Sequence, residues 1–109
     1  MNELIDFLLE TADLAHKEHL ATRSYAAHMA LGDFFDGVRG DTDTLAEALI
    51  GMGNAVTGYE GDIVIELKER YRRLLEMRDI CDGDKAAENL FDTVSANFLS
   101  AIYKLEHLA

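Results

Sequence analysis

Proline and tryptophan are absent from this chain of 109 residues, and cysteine occurs only once. Because proline interrupts helices, its absence favours long helices over a loop-rich fold. Cys81 has no partner for an internal disulfide, and the aspartates near it disfavour a reactive thiolate. No apolar stretch approaches the length of a membrane span, and the acidic first residues do not resemble a signal peptide. We therefore expect a cytoplasmic protein that does not enter a membrane.

Positive charge is also scarce, since 10 basic residues stand against 21 acidic ones and leave a net charge of -11. A field of this sign repels the phosphates of nucleic acid, so no nucleic-acid binding is expected. The same field attracts cations or a basic partner, although solubility alone also explains it.

Apolar residues recur at intervals of three and four along four segments, which is the pattern of amphipathic helices. The segments span residues 2–20, residues 24 to 49 or 50, residues 57 or 62 to 80, and residues 84–108. Asn2 and Asp84 are the expected N-caps of the first and last helices. The expected cap of the second helix is Thr22 or Ser24, and that of the third is Thr57 or Asp62. Short connections predict an antiparallel four-helix bundle, formed as one domain over residues 1–109.

Two of these helices carry features that qualify the prediction. Gly32, Gly37 and Gly40 lie in the second helix, and each costs roughly 1 kcal/mol relative to alanine. A break near Gly40, which would give two shorter helices, is therefore the alternative interpretation. In the third helix, glutamates four residues before arginines predict a solvated, ion-paired face made by Glu66–Arg70 and Glu69–Arg73.

Two histidines and two carboxylates follow a distinctive spacing, with intervals of 12, 15 and 4 between His16, His28, Asp43 and Glu47. Imidazole with carboxylate is the ligand mixture that suits iron and similar metals. Asp36 shares the stripe of the second helix that carries three of them. His28 and Glu47 are about 28 Å apart along one helix, so they cannot bind the same ion from one chain. If two copies pack antiparallel across a two-fold axis, His28 of one copy meets Asp43 and Glu47 of the other.

These intervals resemble those of the Dps-type proteins of the ferritin superfamily, which are four-helix proteins that assemble as hollow dodecamers and oxidise iron. Ala15-His16, the run Asp43-Thr44-Leu45-Ala46-Glu47 and the ending Phe98-Leu99-Ser100-Ala101-Ile102-Tyr103-Lys104-Leu105-Glu106-His107-Leu108 also resemble that family.

The resemblance implies a ferritin-like bundle with a ferroxidase site for Fe(II) and Fe(III) that two subunits share. His16 and His28 of one subunit and Asp43 and Glu47 of its mate are the implied ligands, and Zn(II) would be a redox-silent substitute. The implied assembly is a homo-oligomer, from a two-fold dimer through the first and second helices up to a dodecameric cage.

The chain departs from the Dps pattern at two notable positions. Gly32 stands where the family has an aspartate, four residues after the second histidine, and Lys17 stands where it usually has a tryptophan. The connection between the second and third helices is also shorter. We therefore expect one tight and one weak metal position, with Asp36 or water helping at the weak one, and slow oxidation of iron.

Two other functions are consistent with the same residues. The first is a non-enzymatic helical assembly protein that keeps the fold without the metal chemistry. The second is an acidic protein that imitates DNA and occupies a basic DNA-binding protein. The two remaining histidines, His19 and His107, are interpreted as surface or interface residues without a chemical role.

Overall fold

The computed structural model describes residues 1–108, and every regular element in that range is helical. The prediction of an all-α chain with four main helices is therefore confirmed. Contacts divide the chain into two compact units, Met1–Gly58 and the residues from Tyr59 onward. No helix in the described range is long and apolar enough to cross a membrane. The helices are α1 (Asn2–Ala21), α2 (Tyr25–Gly51), α3 (Ile63–Glu76) and α4 (Lys85–His107), with a short 3₁₀ helix at Arg78–Cys81.

The first unit is an antiparallel hairpin of α1 and α2, which three residues connect. The two helices contact each other at a series of points that lie at increasing distance from this turn. The ring of His19 lies on that of His28, and the ring of His16 lies on Phe35. Still further from the turn, Arg39 donates a hydrogen bond of 2.7 Å to Asp13.

The open end of the first hairpin is closed by the side chain of Asn2. Its amide nitrogen donates to the hydroxyl of Thr57 at 3.1 Å, and its oxygen accepts the N–H of Thr57 at 2.8 Å. Asn2 is the first helical residue, and Met1 occupies the cap position without a side-chain bond. The predicted caps at Asn2 and Thr57 are therefore wrong, because these two residues bind each other.

Helix α2 runs for 27 residues without interruption. The hydroxyl of Ser24 accepts the N–H of Ala27 at 3.1 Å and so caps the helix as predicted. Gly37 and Gly40 both lie within the helix, so the alternative with a break near Gly40 is wrong. Hydrogen bonding along a helix of this length outweighs the local cost of its glycines.

Small side chains bring α1 and α2 close together. Ala12 is completely inaccessible to solvent, and Ile5 and Ala15 are buried nearby on the same helix. Thr42 of α2 is also buried, with 3% of its surface exposed. Within residues 1–108, its hydroxyl oxygen has no hydrogen-bond partner.

This unpartnered hydroxyl makes Thr42→Val a stabilising substitution. Valine has nearly the same shape and removes the cost of an unsatisfied polar group, so the free energy of unfolding should rise by about 1 kcal/mol. Thr42→Ser is the matched control, because it keeps the hydroxyl and loses the methyl group, and should lower stability by a similar amount. Urea unfolding followed by circular dichroism measures both. A valine variant that is less stable than the wild type would contradict this account of Thr42.

The second unit contains α3, the 3₁₀ helix and α4. Asp62 caps α3 by accepting the N–H groups of Val64 and Ile65 at 2.9 and 3.3 Å. Helix α3 ends at Glu76 instead of continuing to residue 80 as predicted, because the chain tightens there into the 3₁₀ helix. Asp84 caps α4 as predicted, and its carboxylate accepts a hydrogen bond of 2.8 Å from the N–H of Ala87.

A left-handed turn reverses the chain between the 3₁₀ helix and α4. Asp82 has a φ of 51°, and Gly83 follows it with a φ of 75°. Glycine reaches this conformation without a steric penalty, which explains why Gly83 ends the helical run. Arg78 then links the turn to α4 by donating hydrogen bonds of 2.9 and 3.0 Å to the two oxygens of Asp92. These bonds hold the pKa of the Asp92 carboxyl below its ordinary value.

One of the two predicted ion pairs of α3 is confirmed, and the other is wrong. Arg70 binds Glu66 at 2.9 Å, as the interval of four predicts. Glu69 is bound by Arg72 at 2.6 Å instead of by Arg73. Arg72 also binds Glu76 at 2.5 Å, so it joins two carboxylates on successive turns.

Candidate functional site

Three histidines and Phe35 pack together near the turn of the first hairpin. The rings of His19 and His28 stack with their centres 3.7 Å apart and their planes 19° apart. The ring of His16 stacks on Phe35 at 4.0 Å and lies 6.2 Å from that of His19. All four side chains are half-buried. The structure therefore brings both predicted histidine ligands into one cluster and adds His19 to them.

Two crossed hydrogen bonds join His19 and His28. Nδ1 of His28 lies 2.8 Å from the backbone oxygen of His19, and Nδ1 of His19 lies 2.6 Å from the backbone oxygen of His28. A carbonyl oxygen can only accept, so each Nδ1 must carry the hydrogen and donate it. The bond to the His19 carbonyl also satisfies one of the last acceptors of α1, which has no partner within that helix.

The crossed bonds determine which nitrogen of each ring remains free. When the rings are neutral, Nδ1 carries the proton, and the lone pair is on Nε2. Histidines that bind metals through Nε2 commonly donate their Nδ1–H to a backbone carbonyl, which fixes the tautomer. His28 therefore has the hydrogen-bond pattern that is common among histidines that bind metals through Nε2.

The predicted carboxylate ligands lie elsewhere on α2. Asp36, Asp43 and Glu47 are exposed, and none forms an ion pair or a side-chain hydrogen bond with another of residues 1–108. Asp43 is fifteen residues from His28, or about 22 Å along the helix, and Glu47 is still further away. Asp36 is about 12 Å from His28 on this continuous helix, which is too far for both to bind one ion in the same chain.

A single described chain does not assemble the whole ligand set. Among residues 1–108, no group of three or more histidine, cysteine, aspartate or glutamate side chains is placed to hold a metal ion. The donor types nevertheless fit iron or zinc, because unpaired carboxylates and neutral imidazoles with free lone pairs are suitable ligands. The shared set of His16, His28, Asp43 and Glu47 therefore stays a prediction that requires a second subunit.

His19, which the sequence suggests is a surface or interface residue, is half-buried inside the hairpin, where its ring stacks on that of His28 and its Nδ1 binds the backbone oxygen of His28. One sequence signal could have revealed the contact. His19 and His28 flank the predicted turn at residues 21–24 almost symmetrically, and residues placed in this way face each other in an antiparallel hairpin. His107, by contrast, is exposed at the end of α4, as predicted.

An open apolar groove lies beside the histidine cluster in the first hairpin. It has a volume of about 390 Å³, and its lining includes Leu14, Leu31 and Phe34. Leu14 is 74% exposed.

The structure defines an all-helical protein with a cluster of three histidines in its first hairpin. Residues 19–105 match DUF5856, a family of unknown function, and the chain belongs to this family. The matched range includes His19, His28, Asp43 and Glu47, whereas His16 precedes it. No curated protein and no solved structure matches the chain.

Proposed function

We propose that the protein is a Dps-like, ferritin-type helical bundle that binds Fe(II) at sites shared between two subunits. His16 and His28 of one subunit and Asp43 and Glu47 of its mate are the ligands. The observation that supports this proposal best is the unbroken α2, because it holds three of the four residues in a fixed register. The free Nε2 of His28 provides independent chemical support.

The register of α2 defines the geometry of the proposed dimer. His28 of one antiparallel helix faces Asp43 and Glu47 of the other only if the two-fold axis crosses α2 near residues 36 and 37. Asp36 lies at this axis on the stripe of α2 that carries the ligands, whereas Gly37 is the next residue and is turned about 100° away from it around the helix.

Fe(II) is the substrate in this proposal, and the protein supplies ligands and geometry. Neutral imidazoles and carboxylates hold the ion, and the stacked aromatic rings keep the histidines in place. In the proposed reaction, two Fe(II) ions lose one electron each. One molecule of hydrogen peroxide takes up these electrons with two protons and becomes two molecules of water. Dioxygen is the alternative oxidant.

Metal titration of the purified protein tests this function. Wild-type protein should bind Zn(II) and, under anaerobic conditions, Fe(II), whereas His28→Ala and Glu47→Gln should lose affinity by more than about tenfold. Asp33→Asn is the matched control, because Asp33 is an exposed carboxylate of α2 outside the ligand set. Light scattering on the same samples should report a dimer or a larger assembly.

Equal affinity in all four proteins would overturn the metal proposal and favour the non-enzymatic assembly protein. That second candidate is supported by two exposed apolar side chains of α1. Phe7 is 63% and Leu14 is 74% exposed, and their spacing of seven residues places them on the same face of the helix. Neighbouring exposed apolar residues on one face are typical of a surface that binds another protein. An assembly without metal affinity is the outcome that this candidate predicts.

A further inference from the structure

The imidazole of His19 is held on three sides within the first hairpin. Its Nδ1–H donates to the backbone oxygen of His28 at 2.6 Å, and one face of its ring stacks on the ring of His28 at 3.7 Å. Its edge meets Phe35 at 5.3 Å, with the ring planes 62° apart. These contacts leave the ring of His19 little freedom to move away from α2.

Gly32 provides the space into which this ring fits. A Cβ atom at position 32 would lie 3.0 Å from Cε1 and 3.2 Å from Nδ1 of His19. Both distances are shorter than ordinary van der Waals contact, and the ring cannot retreat without losing its bond to His28. No such clash exists at Gly37. The absence of a side chain at Gly32 is therefore coupled to the imidazole of His19.

We infer that His19 is a positioning residue that, together with Gly32, holds His28 with Nδ1–H on the backbone and Nε2 free for a ligand. The stacked ring of His19 prevents the ring of His28 from rotating out of this bond. Without that support, His28 can also adopt the tautomer with its hydrogen on Nε2, which has no lone pair for a metal at that atom. The metal consequence rests on the proposed function, whereas the tautomer is a property of the metal-free chain.

The tautomer of His28 can be measured directly without metal. Long-range proton–nitrogen correlation spectra of ¹⁵N-labelled protein at about pH 8, where free histidine is neutral, distinguish Nδ1–H from Nε2–H. The wild type should show Nδ1–H at both His19 and His28. In His19→Ala the backbone acceptor for His28 remains but the stacked ring is gone, so His28 should populate both tautomers. A wild-type His28 with its hydrogen on Nε2 would overturn the inference.

Gly32→Ala tests the same coupling from the other helix, and Gly37→Ala is its matched control. Alanine normally favours a helix over glycine, so Gly37→Ala should raise the midpoint of thermal unfolding. Gly32→Ala should give no such rise, because its Cβ displaces the ring of His19. A rise equal to that of Gly37→Ala, with His28 unchanged in the spectra, would overturn the inference.

Zn(II) titration adds the functional consequence. His19→Ala should bind Zn(II) at least about tenfold more weakly than the wild type, which is the usual scale for losing an orienting partner of a metal ligand. Asp33→Asn, the control outside the ligand set, should bind as the wild type does. If the wild type binds no Zn(II) while His19→Ala still mixes the tautomers of His28, the proposed function fails and the positioning role stands. If His19→Ala retains both the single tautomer and wild-type affinity, the positioning role fails, whatever happens to Gly32→Ala.

Discussion

Mixing two variants that each fail to bind metal should restore about a quarter of the wild-type binding capacity. The variants are His28→Ala and Glu47→Ala. In a mixed dimer, one site combines both defects, and the other combines the intact histidine of one subunit with the intact glutamate of its mate. Random pairing makes about half of the dimers mixed, and each of these regains one of two sites. Zn(II) titration after co-refolding, with the wild type as reference, measures the recovered capacity.

A second mixture is the control for this experiment. His16 and His28 belong to the same side of the proposed site, so mixing His16→Ala with His28→Ala should restore nothing. Every site in that mixture takes both histidines from one defective subunit. Recovery in both mixtures, or in neither of them, would contradict ligands that are divided between subunits as proposed.

The substitution Ala12→Asp should prevent the first hairpin from forming. Ala12 is completely inaccessible between α1 and α2, so a carboxylate there is either buried without a partner or forces the helices apart. An unpaired buried charge typically costs about 3–5 kcal/mol, which is a large fraction of the total stability of a small protein. Circular dichroism should show a loss of helix together with a much lower urea midpoint.

Ala30→Asp is the matched control for Ala12→Asp, because Ala30 is an exposed alanine within α2. Both substitutions have the same intrinsic cost of aspartate in a helix, so the difference between them isolates burial. Ala30→Asp should lower stability by less than about 1 kcal/mol. If the two variants unfold at the same urea concentration, the close packing of the helices around Ala12 is wrong.

The parts of the fold that the sequence predicted well depend on local chemistry. Helical periodicity located the four helices, and side-chain caps at Ser24, Asp62 and Asp84 were recognised because each binds N–H groups two or three residues away. The predictions at Asn2 and Glu69 were wrong for a different reason. Asn2 binds a residue 55 positions away, and Glu69 chooses between two arginines that satisfy helical spacing almost equally well. Tertiary contacts and rotamers decide such cases.

The candidate site also has features that could be predicted from the sequence and features that could not. The interval pattern of His16, His28, Asp43 and Glu47 could be read from the sequence, and so could the distance that requires a second subunit. The crossed bonds of His19 and His28 could not, because they depend on the exact orientation of two rings across the hairpin. Gly32 was interpreted from the sequence only as a lost ligand. Its close approach to the ring of His19 gives its missing side chain a steric reason.

The crossed histidines have a further consequence for the order in which the chain folds. They join residues only nine positions apart, and closing so short a loop costs little entropy and takes well under a microsecond. Contacts further from the turn, such as those of His16 with Phe35 and Asp13 with Arg39, close progressively longer loops. We therefore expect the first hairpin to nucleate at its turn and to form its remaining contacts progressively toward Asn2. The histidine cluster would then form before the rest of the hairpin.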